Sequence, residues 1–502
     1  MAGVAALALA LTTLPYWVGV AAQTPEWRFS GFLIGVEDSN SYLAKMGQSA
    51  RGQWLFTPVY STEPAAGVWL YAFYFLLGKL AGPEHTAQLL VYHTARILGG
   101  GLALWASYAF LAEFLPFQRQ RRLALILTAF GGGLGWLMVL IGQPDWLGAL
   151  PLDFYSPEAY TFLSLYTLPH LLFSRALFLW GMVAYLRGRG GWAGLAWLGV
   201  SVIQPIHVLT VWAIVGLDWA LAWRRPDRWP AARRAALAIG LSAPVVFYTV
   251  TIFSVDPVLR AWNSQSVLPA PHPAHYLLGY GLWLVPGWWG WRSLRRRPRL
   301  ARWVLAWCLV VPVLVYLPWP IQRRLGEGFQ LPLVVLAVLG VTVAWRRARR
   351  WLPAALAAAS SLTAVFLLAG GLVVAGRPAP PLFHAAEQLA VFRWVAAQPE
   401  VSGAGLGAYA TGNLIPVFTP LPAYIGLGTE TAFFAEKQAR VAAFFQPLTS
   451  DSARRRLLAD GRIRYVFHGP EERALGAFDP ATAPYLRLGY AAGAYAVYEV
   501  QP

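Results

Sequence analysis

Five short runs of arginine interrupt an otherwise apolar chain, and their spacing limits what it can fold into more than any other feature. They are Arg119/Arg121/Arg122, Arg187/Arg189, Arg224/Arg225/Arg228/Arg233/Arg234, Arg292/Arg295/Arg296/Arg297/Arg299/Arg302 and Arg346/Arg347/Arg349/Arg350. The stretches between them are long enough to span a bilayer core, which takes about 20 apolar residues per helix. With 57% hydrophobic and 13% charged residues, the chain is expected to be an integral membrane protein. A net charge of +17 suits nucleic acid only when the cations share one face. Set out as loop clusters they follow the positive-inside rule, so no nucleic-acid partner is expected. Cys308, the 1 cysteine, rules out a disulfide framework and a Cys-based metal site and reads as a small buried hydrophobe.

Placing the arginine clusters in the cytoplasm gives helices near residues 2–22, 86–114, 123–142, 169–187, 192–205, 206–223, 235–254, 274–291, 301–320, 329–345 and 352–375. The expected fold is mainly α: a polytopic membrane bundle of about 11 transmembrane helices with a C-terminal soluble α/β domain. Residues 1–376 form the membrane domain, with a first outer loop at 23–85, and 377–502 form the extracytoplasmic domain. Ala2 to Ala22 has no basic residue before it and reads as a first spanning helix, with a start further upstream left open, rather than as a signal peptide cleaved near Ala22. Ala65 to Leu80 would be only about 24 Å long as a helix and reads as lying in the outer interface. Gln204-Pro205-Ile206-His207 is the expected outer turn between two short helices. Helical periods at Ala385 to Ala397 and Glu430 to Phe445, and strand-like runs at Ile463 to His468 and Ala494 to Val500, mark the outer domain. Gly131-Gly132-Gly133 and Gly135 read as packing glycines inside an apolar helix.

The expected outward loops collect the acids of the membrane region, among them Glu26, Glu37, Asp38, Glu63, Asp145, Asp153, Glu158 and Asp256. Glu37-Asp38-Ser39-Asn40-Ser41-Tyr42 opens a segment with the apolar recurrence of an interfacial amphipathic helix. Asp38 reads as its N-cap, as a general base or as a metal ligand, and a cap is compatible with either chemical role because it fixes the carboxylate.

This arrangement resembles the GT-C superfamily of polyprenol-dependent glycosyltransferases: an acidic pair soon after the first helix, an interfacial helix, many short helices and an outer C-terminal domain. Glu37-Asp38 followed by Tyr42 is similar to the acidic pair and downstream aromatic of the protein mannosyltransferase and aminoarabinose transferase branches. The resemblance implies that the loop carboxylate is a catalytic base or metal ligand, a role that falls most directly on Asp38 and next on Glu37. The Asp-Glu order of those branches is reversed here, which leaves the choice between the two open. No second acidic motif of the oligosaccharyltransferase type is evident. A divalent metal, Mg or Mn, is the cofactor the resemblance allows.

Transfer from a lipid-phosphate sugar needs one carboxylate to deprotonate the acceptor, and a cation for the departing phosphate. Arg323 and Arg324 end a helix expected to run outward, where cations are sparse, and their planar forks suit phosphate. The other readings are pairing with Glu327 at helical spacing and snorkelling to lipid headgroups. Arg96, one turn from His93, is a weaker donor-phosphate candidate. Tyr42, Glu63, Asp153, Glu158, His170 and His207 are candidates for the acceptor cleft, with structural roles at helix ends as the alternative. The expected function is transfer of a sugar from a polyprenyl-phosphate donor to a glycan, lipid or protein acceptor at the outer face of the plasma membrane, in a cell-envelope glycosylation step. The N-terminus is expected in the cytoplasm. The alternatives are a transporter or flippase of lipid-linked saccharides, which would carry midplane charges and related halves, and a non-catalytic assembly subunit.

Overall fold

The computed structural model describes residues 1–224, 226, 228–345, 351–399 and 401–501. Arg225 and Arg346, Arg347, Arg349 and Arg350 of the expected loop clusters lie outside the described residues. The chain divides into two compact units, Met1–Pro15 with His93–Thr249 and Leu268–Val373, and Tyr16–Tyr92 with Val250–Val267 and Val374–Pro502.

The first unit is a helical bundle. Among the described residues, 6 helices of the chain are long and apolar enough to cross a membrane: Ala2–Ala21, His85–Phe114, Pro169–Leu186, Arg228–Val255, Gln322–Thr342 and Leu352–Ala375. The other expected spans also form helices, but they are shorter or broken by proline. Gly190–Ile203 and Pro205–Leu221 meet at Gln204 as anticipated, and Pro273–Leu294 contains Pro286. The expected continuous helix at 123–142 is instead two pieces, Gln118–Phe130 and Gly135–Leu140. The backbone leaves the helix because its N–H groups have better partners: Gly133 and Gly135 donate to the Asp153 carboxylate at 2.8 and 3.3 Å, and Gly132 donates to the Ser360 carbonyl. The glycines there receive the Asp153 carboxyl and also allow close packing, since a Cβ at Gly133 would collide with the Gly279 backbone of the Pro273–Leu294 helix.

Close helix packing recurs further along the same helix. A Cβ at Gly290 would collide with the Leu336 carbonyl and one at Gly340 with that of Pro286, so the Pro273–Leu294 and Gln330–Trp345 helices touch backbone to backbone. Trp197, Trp283 and Trp307 fill the core around them. The arginine-bearing helix ends meet at one end of this unit. Arg187 pairs with Glu113 at 2.6 Å, Arg299 donates to the Leu186 carbonyl, and Arg297 donates to the Phe114 carbonyl at 3.2 Å. Cations over the last carbonyls of a helix also complement its dipole.

The second unit holds the strands. β1 (Trp27–Phe29) pairs antiparallel with β2 (Phe383–Ala385). A four-stranded sheet follows the order β3-β4-β6-β5, with β3 (Ala404–Leu406) parallel to β4 (Ile463–His468), and β5 (Leu486–Ala492) and β6 (Tyr495–Val500) antiparallel. Tyr424, Phe444, Phe445, Val466 and Tyr498 form the core against it. The sequence periods locate the helices Ala386–Ala396 and Phe434–Phe444 and the strands β4 and β6, but not β3, which is three residues long, or β5. The expected interfacial helix at 65–80 starts only at Ala72. Val68 is drawn into a β-bridge with Phe56, and Tyr71 turns the chain through a φ of 56°.

Candidate active site

Gly35 sets the position of the acidic pair. It adopts φ 62°, ψ 45°, a left-handed conformation that favours glycine, and the helix Val36–Ala50 begins behind it. Asp38 is therefore not the N-cap, as the residue type suggested, but the third helical residue, with Glu37 the second. Both are exposed in the first turn, where the helix dipole favours negative charge.

The opposite face of this helix is buried and polar, which fixes its orientation. Asn40 donates to Asn413 at 2.7 Å, the Tyr60 hydroxyl donates to the Asn413 carbonyl at 3.0 Å, and Ser41 donates to Glu430 at 2.8 Å. Fully buried Lys45 also pairs with Glu430, at 2.7 Å, and donates to Ser41. Its ammonium lies 4.2 Å from the centre of the Tyr71 ring, with Tyr42, Phe56 and Trp262 around it. Burial pushes the Lys45 ammonium below its ordinary value, while the charges of Glu430 and, less strongly, Asp38 oppose that shift. Tyr409 donates to Glu37 at 2.6 Å, and burial together with that carboxylate raises its hydroxyl. Glu37 is thus engaged, and Asp38 stands next to it, exposed in the first turn of the helix. Tyr42 stacks on Tyr74 with ring centres 4.3 Å apart. Glu63 accepts from Lys437 at 2.6 Å and from Ser61.

The first unit places the other candidates. Arg323 and Arg324 sit on the one-turn helix Gln322–Gly326. Glu327, their anticipated partner, is instead held bidentately by Arg175 at 2.6 and 3.1 Å. Arg175 also donates to the carbonyls of Pro157 and Glu158, so it ties the arginine turn to the 153–158 loop. Arg324 lies 3.9 Å from Glu158, and the Arg323 guanidinium lies 4.7 Å from the centre of the Tyr155 ring. Arg323 Nε is buried with no hydrogen-bond partner among the described residues. His207 sits 3.7 Å from Glu327 and 3.3 Å from Ser174, deep in the bundle. His170 is buried in the first turn of its helix. Asp153 is occupied by the glycine amides and by Thr363. Arg96 is fully buried and donates to the Leu165 carbonyl, Thr13 and His93, as a structural cation does.

Beside the arginine turn lies an apolar cavity of about 610 Å³, walled by Tyr280, Trp283, Trp288, Leu333 and Leu336 and bordered by Tyr276 and Tyr316. Tyr276 lies within electrostatic reach of the Arg323 guanidinium. Sequence reasoning missed Lys45, Tyr60, Tyr409, Asn413, Glu430, Tyr155 and Arg175. Only the isolated lysine in an amphipathic helix was there to signal the first of them.

This architecture is shared with solved structures of ArnT and of an oligosaccharyltransferase. Among solved structures, the chain is similar to ArnT from Cupriavidus metallidurans in the apo state, with 14% identity and a TM-score of 0.52 over 99% of this chain and 98% of that one. It is also similar to the oligosaccharyltransferase of Archaeoglobus fulgidus in the apo form, with 12% identity and a TM-score of 0.51 over 96% of this chain and 73% of that one. At these identities the likeness is one of fold. No protein-family model and no curated protein matches the chain.

Proposed function

We propose that this chain is a membrane glycosyltransferase that moves a sugar from a polyprenyl-phosphate carrier to an acceptor hydroxyl on the outer face of the membrane. The observation that carries this reading is Asp38: an exposed carboxylate in the first turn of a helix whose other face is pinned by Asn40, Ser41 and Lys45, in a chain with the fold of ArnT and an oligosaccharyltransferase. In the proposed step the acceptor oxygen forms a bond to the anomeric carbon as the bond from that carbon to the phosphate oxygen breaks. The electron pair leaves with the polyprenyl phosphate, and the acceptor proton passes to Asp38. A positioned base contributes about 10²- to 10⁴-fold. The leaving group is already a phosphate and needs no protonating acid. Arg323 and Arg324 are the cations proposed to hold it, and the apolar cavity bordered by Tyr276 suits an isoprenoid chain.

A divalent ion would find a poor donor set here. Among the described residues no group of three or more His, Cys, Asp or Glu side chains converges, and Glu37 is already bound by Tyr409. We therefore derive no step through a metal. The test is transfer of radiolabelled sugar from a synthetic polyprenyl-phosphate donor by purified protein in nanodiscs. Donor-dependent labelling of an acceptor that Asp38→Asn abolishes supports the reading, and donor that neither binds nor turns over refutes it.

A further inference from the structure

At the arginine-rich end of the first unit lies a second cavity, of about 140 Å³, with a polar wall of Gln120, Ser293, Arg297 and Thr342 facing Phe117 and Leu294. At roughly 30 Å³ per water, it has the volume of four or five waters, about that of a phosphodiester group. Three of its polar groups, Gln120, Thr342 and Arg297, have bonding partners. Gln120 is 6% exposed, accepts from the Phe117 amide and donates to Thr342, whose hydroxyl in turn donates to the Val338 carbonyl. The Gln120 amide nitrogen carries a second N–H. Arg297 has five N–H donors, and the Phe114 carbonyl takes one of its Nη1 bonds, which orients the guanidinium on the cavity wall.

The charge here has one sign. No acid lines the cavity among the described residues. The helix Gln118–Phe130 begins at it, with Arg119, Arg121 and Arg122 in or next to its first turn, so the positive end of the dipole adds to the cations. Arg121 donates to the Leu115 carbonyl at 2.7 Å and holds the bend that shapes this wall. The remaining lining is apolar, and the cavity sits at the ends of helices that are long and apolar enough to cross a bilayer. An anion with an apolar tail satisfies both walls, whereas a free anion leaves one unused. Basic pockets between spanning helices bind anionic lipid headgroups by this combination.

We infer that this cavity, built from the Gln118–Phe130 helix start and Arg297, binds the phosphate of an anionic glycerophospholipid. It involves none of the residues assigned to sugar transfer. Native mass spectrometry of the full chain, titrated with phosphatidylglycerol, phosphatidylcholine or inorganic phosphate, tests it. Phosphatidylglycerol is expected to bind in preference to phosphatidylcholine, and Arg297→Gln is expected to weaken it about tenfold, the worth of a charged hydrogen bond. Arg296→Gln, an exposed neighbour outside the lining, is expected to change it less than about twofold. Equal loss in both variants means diffuse attraction and overturns the site, and inorganic phosphate binding as tightly as the lipid overturns the lipid assignment. Should Arg297→Gln fail to give monodisperse protein, Ser293→Leu fills the cavity instead, and unchanged lipid affinity there overturns the inference.

Discussion

At the scale of single residues, the proposed chemistry rests on two neighbouring carboxylates in different surroundings. Glu37 accepts the Tyr409 hydroxyl, while Asp38, one residue on, is exposed in the same first turn and favours the charge of Lys45. Asp38→Asn removes a base and a favourable first-turn charge. Stability should fall by about 1 kcal/mol or less, and transfer should slow by about 10²-fold or more. Glu37→Gln keeps a partner for Tyr409 and should lose less. Parental rates in both variants, measured by sugar transfer in nanodiscs, would remove the site from this helix. At Arg323 the discriminating change keeps the charge. If the guanidinium grips a phosphate with its fork, Arg323→Lys should weaken donor binding nearly as much as Arg323→Gln. A lysine that binds donor as well as the parent identifies a cation snorkelling to lipid headgroups.

At the scale of elements, the helix Val36–Ala50 is held by partners more than 350 residues away in sequence, and this explains what the sequence revealed and what it did not. The acidic pair and the helix that carries it were legible because dipole, exposure and periodicity are local properties. The Lys45–Glu430 pair and the Tyr409–Glu37 bond were not, because nothing local marks which polar residues a fold will bring together. Asp38 was misplaced as a cap for a related reason: Gly35 in the left-handed region begins the helix earlier than a propensity for Asp would. The Lys45–Glu430 pair also makes a testable anchor. Removing one partner leaves a buried charge, so Glu430→Gln or Lys45→Met should each cost about 3–5 kcal/mol. The double variant should be less damaged than the sum. Additivity in a double-mutant cycle of thermal unfolding would show that the pair does not hold the helix. The Glu63–Lys437 link predicts a pH effect. Burial alone would raise the Glu63 carboxyl, but hydrogen bonds from Lys437 and Ser61 outweigh it and hold it below 4.5, its ordinary value. A carboxylate lowered in the fold stabilises above its unfolded pKa, and that stability is lost as pH falls through the folded one. Glu63→Gln should therefore flatten the acid limb of a Tm-against-pH curve below about pH 4.5 and leave its shape above that unchanged.

At the scale of the whole molecule, the arginine clusters and the long helices state the same rule in two ways. The clusters mark where helices end, and in the first unit Arg187, Arg297 and Arg299 each bond to the end of a neighbouring helix at one end of the bundle. The sequence could say that those ends share a side because positive charge is retained in the cytoplasm; it could not say that Arg297 and Arg299 bond to carbonyls at neighbouring helix ends and Arg187 to the Glu113 carboxylate. The interruption at 131–134 was hidden for the opposite reason, since its cause, Asp153, lies beyond the hydrophobic stretch that the pattern described. If the arginine end faces the cytoplasm and an odd number of crossings follows, the C-terminal sheet lies outside. A cysteine at Ser402, exposed before β3, should then react with a membrane-impermeant maleimide in intact cells once Cys308 is replaced by alanine. A cysteine at Gln118, exposed at the start of its helix among the arginines, should react only after the membrane is permeabilised. Labelling at Gln118 in intact cells, with none at Ser402, would reverse the orientation and place Asp38 on the cytoplasmic side, where a donor on an outward-facing carrier never reaches it.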